Sequence, residues 1–134
     1  MSAQAVIVAL LNAATGVTAI VQKRIYPEVL PQDCPVPAIT YIEVVAVEKK
    51  TMGPDAANHQ LVESRIQVNA IARDYPTKVA LIRQVRIACR EARGVIAGVS
   101  VLMVAARDRG PDLRDDDLGL TMQSIDFIVH WQDT

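Results

Sequence analysis

The chain has 134 residues, 51% of them hydrophobic and 22% charged, with a formal net charge of −1. A length of this order builds one domain with a sizeable core, and the hydrophobic content excludes a disordered chain. The near-zero charge argues against a strongly basic nucleic-acid binder, and with one Phe, one Trp and three Tyr the core must be aliphatic.

Ser2 can cap a first helix running to about Ala14. Its run Val6 to Leu11 is apolar on nearly all sides, so the helix is expected to be buried on more than one side, although so β-branched a run also suits a strand. No basic residue precedes the apolar stretch from Ala5, and Asn12, Thr15, Gly16 and Thr18 interrupt it. The expectation is neither a targeting segment nor a membrane span, but a protein made and kept in a cytoplasm. Val17 to Gln22 reads as one further helical turn, and Lys23 to Pro27 as a short extended piece. Pro27, Pro31, Pro35 and Pro37 then hold an ordered, non-helical crossing loop.

Ala38 to Glu48 is the first long predicted strand, with Ile39, Tyr41, Val45 and Val47 on one face and Ile42, Val44 and Ala46 on the other. Lys49 to His59 is too long for an ordinary hairpin loop and reads as a protruding arm. Arg65 to Arg73 is the second strand, with Ile66, Val68, Ala70 and Ala72 on one face. Asp74 or Thr77 caps the helix that follows, Pro76 fits its first turn, and the helix runs to about Ala92 before Gly94 stops it. Leu81, Ile82, Val85, Ala88, Cys89 and Ala92 share an arc of roughly 120°, and Arg83, Arg86, Arg90 and Arg93 a neighbouring one of roughly 80°. Ile87 lies off the apolar arc and is a candidate subunit contact.

Val95 to Gly98 is a tight connection, and Val99 to Asp108 a third strand, with Val99, Val101 and Met103 set against Leu102, Val104 and Ala106. Arg109 to Asp117 is a charged turn. Leu118 to Trp131 is a fourth strand, with Ile125, Phe127, Val129 and Trp131 on one face. The predicted architecture is therefore a single α+β domain ordered α-ββ-α-ββ. Two hairpins form a four-stranded antiparallel sheet packed on the Pro76 to Ala92 helix, with the N-terminal helix in addition. One helix cannot cover four strands that are apolar on both sides, so a neighbouring subunit is expected on the remainder.

No constellation points to catalysis. There is no Gly-x-Ser-x-Gly and no phosphate-cradling glycine loop, and neither His59 nor His130 has a plausible nucleophile partner in the sequence. Cys34 and Cys89 fit no metal spacing, and Cys89 falls on the apolar helix face. Asp112, Asp115, Asp116 and Asp117 lack the spacing of a calcium loop and are interleaved with Arg107, Arg109 and Arg114, as in a solvated turn; a weak ion site is the alternative. The arginine stripe reads as a solvated, ion-paired or inter-subunit face before it reads as a phosphate site, because no aromatics are interleaved with it. No metal, cofactor, membrane or sequence-specific nucleic-acid partner is expected.

Several segments taken in order resemble one family. They are the apolar N-terminal helix leading to Thr15-Gly16-Val17-Thr18-Ala19-Ile20-Val21, then Arg24-Ile25-Tyr26-Pro27 and Pro37-Ala38-Ile39-Thr40-Tyr41. Arg65-Ile66-Gln67-Val68-Asn69 with Asp74-Tyr75 follows, and last Leu118-Gly119-Leu120 leading to Ser124-Ile125-Asp126-Phe127 and Trp131. This pattern resembles the tail completion, or tail terminator, proteins of long-tailed bacteriophages and prophages. The resemblance implies a non-enzymatic virion protein that forms a ring, typically a hexamer, on the head-proximal end of the tail tube. Such a ring stops tube polymerisation and presents a surface to the head connector. Its partners would be further copies of itself, the tail tube protein and a head-completion or connector protein, and its place the virion tail, after assembly in the host bacterial cytoplasm. The acidic turn Asp115-Asp116-Asp117-Leu118 stands where a more neutral turn is usual in such relatives.

The bottom-up reading adds candidate contacts for the ring or tail: Lys49, Lys50, Met52 and Asp55 on the arm, Arg65 and Arg73 on the second strand, and Arg83, Arg86, Ile87 and Arg90 on the helix. The competing readings are another connector or neck protein of the same particle, a small-molecule-binding domain or enzyme, and a nucleic-acid-binding accessory protein that uses the arginine stripe.

Overall fold

A computed structural model describes residues 3–49, 60–90 and 92–133. Three helices pack on one face of a seven-stranded mixed sheet curled into a half-barrel. The helices are α1 (Ala3–Ala13), α2 (Thr15–Val21) and α3 (Tyr75–Cys89). The strands are β1 (Ile25–Pro27), β2 (Ala38–Lys49), β3 (Gln60–Ala72), β4 (Gly94–Ile96), β5 (Val99–Arg109), β6 (Leu113–Asp115) and β7 (Leu120–Asp133). Their order across the sheet is β1-β2-β3-β7-β5-β4, with β6 also paired to β7.

This corrects the expectation of a four-stranded antiparallel sheet in the order α-ββ-α-ββ. The four long strands are its centre, but three strands of three residues each extend it, and β1 runs parallel to β2. The parallel pairing is held from the loop side: Ile39 N–H donates to the Arg24 carbonyl at 2.9 Å, and Arg24 Nε donates to the Pro37 carbonyl at 2.8 Å. Three-residue strands carry too few residues to show a two-residue period, so no apolar alternation marks them.

Two face assignments are also corrected by β-bulges. In β2 the register slips between Glu43 and Val45. Ile39 and Tyr41 therefore face the helices, while Val45 and Val47 join Ile42 on the opposite face. In β5 the register slips between Val101 and Met103, which puts Val101 and Val104 on the helix side and Met103 on the other. One inserted residue moves every later side chain to the other face.

The core lies between the helices and the near face of the sheet. Val6, Ile7 and Leu11 of α1, Val17 and Val21 of α2, and Leu81, Val85 and Cys89 of α3 meet Ile66 and Val68 of β3 and Ile125 and Phe127 of β7. Ala70 and Ala72 are fully buried, and their small side chains leave room for the helices. Trp131 Nε1 donates to Ser64 Oγ at 3.0 Å, which gives both of these buried groups a hydrogen-bond partner. Among the described residues no single helix is long and apolar enough to cross a membrane; α1 and α2 are bent by 85° at Ala14.

Candidate assembly surface

Helix α3 begins where the sequence places it. Asp74 is the N-cap, accepting from Thr77 N–H at 3.2 Å and from its hydroxyl, and Pro76 stands in the first turn. With Leu81, Ile82, Val85 and Cys89 turned to the core, Arg83, Arg86 and Ile87 are left exposed, Ile87 at 47%. Helix α3 ends at Cys89, earlier than expected, so Arg90 is its C-cap and Arg93 lies beyond it.

Between α3 and the far end of β5 runs an open groove of about 710 Å³. Arg83 and Arg86 line it from the helix and Arg107 and Arg109 from the strand, with exposed Tyr75 and Val79 at its helix end. Beside it Lys78 is fully buried, pairs with Asp112 and lies 4.3 Å from the centre of the Tyr75 ring. Asp112 thus neutralises a buried ammonium and fixes the loop after β5 against α3. This pairing was readable in part: Lys78 falls on the apolar arc of α3, three residues before Leu81, where a lysine needs an acidic partner. Nothing in the sequence says which acid.

Among the described residues the far face of the sheet carries no helix. At its centre Arg65 Nε donates to Asp126 Oδ2 at 2.8 Å, and Nη2 of the same guanidinium also contacts that carboxylate, with Asp108 at 4.0 Å. Toward the β2 edge Ile42, Val44, Val45 and Val47 are 40–52% exposed. At the β5 edge Leu102 and Met103 are about half exposed. Strand β1 covers β2 only from Ile39 to Tyr41, and β4 covers β5 only at Val99 to Val101. Over the rest of their lengths β2 and β5 are the outer strands of the described sheet.

The sequence-predicted contact residues divide into several groups. Arg83, Arg86 and Ile87 share one exposed helix surface, with Arg90 at its end. Arg65 lies apart from them, engaged by Asp126 on the far face. Arg73 is exposed at the end of β3, beside the proline-rich loop and Leu118. Lys49 ends β2, while Lys50, Met52 and Asp55 lie outside the described residues, as does most of the predicted arm.

Burial pushes the Cys89 thiol up to about 12 from an ordinary 9.0. Interaction with the Cys34 side chain, followed by desolvation, raises the Tyr26 phenol. Among the described residues no three His, Cys, Asp or Glu side chains are grouped to hold a metal ion. Asp112 and Asp116 are each engaged by a cation, Lys78 and Arg114.

A family model described as tail completion protein gp17 matches residues 5–130. Among solved structures, a chain of the virion of a native gene transfer agent particle superposes with a TM-score of 0.79. It shares 14% sequence identity, and the match covers 98% of this chain and 96% of that one. At this identity the likeness is one of fold. A search among curated proteins finds no match.

Proposed function

Because the chain belongs to the tail completion protein gp17 family, a family of structural phage virion proteins, we propose that it forms a ring, in the typical case a hexamer, on the head-proximal end of a tail tube. There it ends tube polymerisation and presents the surface that the head connector joins. The partners in this reading are neighbouring copies, the tail tube protein and a head-completion or connector protein. Its place is the virion tail, reached by assembly in the host bacterial cytoplasm. The role is structural, and no reaction is assigned to it.

The observation that carries the ring is the pair of exposed surfaces at opposite edges of one described sheet. One is the exposed valine strip of β2, and the other is the β5 edge with α3 beside it. A head-to-tail contact needs two different patches on one subunit, and it closes into a ring when the rotation between neighbours permits. Apolar area of this kind at both edges suits such a contact. Arg73 and the 49–59 segment, with Lys49, Lys50, Met52 and Asp55, would then contact the tube or the adjacent subunit.

The test is native mass measurement and negative-stain imaging of the purified protein, alone and with tail tubes. Closed rings, free or seated on one tube end, are expected. Binding to head particles with none to tube ends would assign the chain to another connector of the particle instead.

A further inference from the structure

Three arginines in the α3–β5 groove, Arg83, Arg86 and Arg109, form no ion pair among the described residues, whereas Arg107 is 3.5 Å from Asp108. Guanidinium groups converging beside an apolar ledge of Tyr75 and Val79 ask for a ligand with carboxylates and an apolar side chain. The same chain carries one. At the tip between β6 and β7, Asp116 and Asp117 are exposed and flanked by Leu118 at 62% exposure and Leu113 at 54%. Arg114 engages only Asp116, at 2.8 Å, and the Asp117 carboxylate has no cation partner among the described residues. The Asp115 carboxylate accepts the N–H groups of Asp117 and Leu118 at 3.1 and 3.2 Å, which holds the tip in one shape. Among the described residues of one chain no ion pair joins this tip to the groove.

We propose that the acidic tip of one subunit docks into the arginine groove of a neighbouring subunit, with Asp116 and Asp117 on Arg83, Arg86 and Arg109 and Leu118 against Tyr75 and Val79. This rests on the ring reading and names two of the surfaces that would hold the ring. A polypeptide fits better than a nucleic acid backbone because the exposed ledge of Tyr75 and Val79 asks for an apolar side chain such as Leu118 beside the carboxylates, which a phosphate backbone does not offer. The chain's net charge of −1 points the same way. Docking through these charges weakens with salt, while the shape of the fixed tip selects its own groove.

The test is a charge swap read by sedimentation and imaging. Arg83→Glu with Arg86→Glu should weaken self-association about tenfold or more, and so should Asp116→Arg with Asp117→Arg. Each pair is exposed, so circular dichroism and the melting temperature should stay at wild-type values. Mixing the two variants brings altered tip and altered groove together and should restore association to near wild type. Rings that persist unchanged in either variant would overturn the inference and leave the ring reading standing. A wild-type protein that never associates, free or on tubes, would overturn both. Salt-steep binding of a duplex DNA probe that is lost in the Arg83→Glu, Arg86→Glu variant, with self-association unaffected, would give the groove to nucleic acid and also overturn the proposal.

Discussion

Removing the Asp112 carboxylate should damage this fold more than removing the buried lysine it serves. Lys78 has no solvent exposure, and its described charge partners are Asp112 and the face of Tyr75. Asp112→Ala leaves the ammonium buried with the ring alone. Stranding one member of a buried pair costs about 3 to 5 kcal/mol. Two features lower that figure here: the Asp112 side chain is 52% exposed, so water reaches the pair, and the Tyr75 contact remains. The cation–π contact retains about 0.5 to 2 kcal/mol. A loss of about 2 to 3 kcal/mol is expected, which lowers the melting temperature of a domain this size by about 10 °C. Lys78→Met removes the charge, keeps most of the side-chain volume and returns Asp112 to water, so it should stay within about 1 kcal/mol of wild type. The double variant should recover most of what Asp112→Ala loses. Urea and thermal unfolding measure all three. A neutral Asp112→Ala, or a Lys78→Met as damaging as Asp112→Ala, would refute this account of the pair.

Three further predictions rest on buried groups. Arg65→Ala strands Asp126, which is 6% exposed, and should cost about 2 to 3 kcal/mol in urea unfolding. Arg65→Lys should fall between it and wild type, because one ammonium replaces a guanidinium that reaches Asp126 through both Nε and Nη2; equal stability of all three proteins would count against the pairing. The Cys89 thiol has a folded-state pKa above its unfolded one, so its contribution to stability is complete below pH 9 and is lost as pH rises from 9.0 toward 12. The slope, at most about 1.4 kcal/mol per pH unit, should be missing from Cys89→Ala. In the native protein a thiol reagent should label Cys34 and spare Cys89 until the chain unfolds; early labelling of Cys89 would contradict its burial.

How legible the fold was depended on how long each signal runs. The near faces of β3 and β7 and the core arc of α3 repeat over enough residues to be read directly, and Asp74 and Pro76 announced the helix start. The short strands β4 and β6 left no such trace, while β1 was legible only as a short extended piece ended by Pro27. The bulges at Val44 and Leu102 left none either, because Val, Ile, Leu and Met suit both faces of a strand and hide a slip in phase. The candidate surface was legible where it is local: Arg83, Arg86 and Ile87 follow from helical spacing alone. The groove they line was not, because Arg107 and Arg109 arrive from another strand. The pairing of Arg65 with Asp126 spans 61 residues and depends on the β3–β7 register, which only the folded sheet supplies.

The role proposed for this protein is to end the growth of a tail tube. The most direct measurement is the length of tubes in lysates of particles from which this gene has been deleted, imaged by electron microscopy. Headless tubes that run well past the normal length are expected, with a return to normal length when the protein is supplied in trans. Tubes of unchanged, uniform length in the deletion would contradict it.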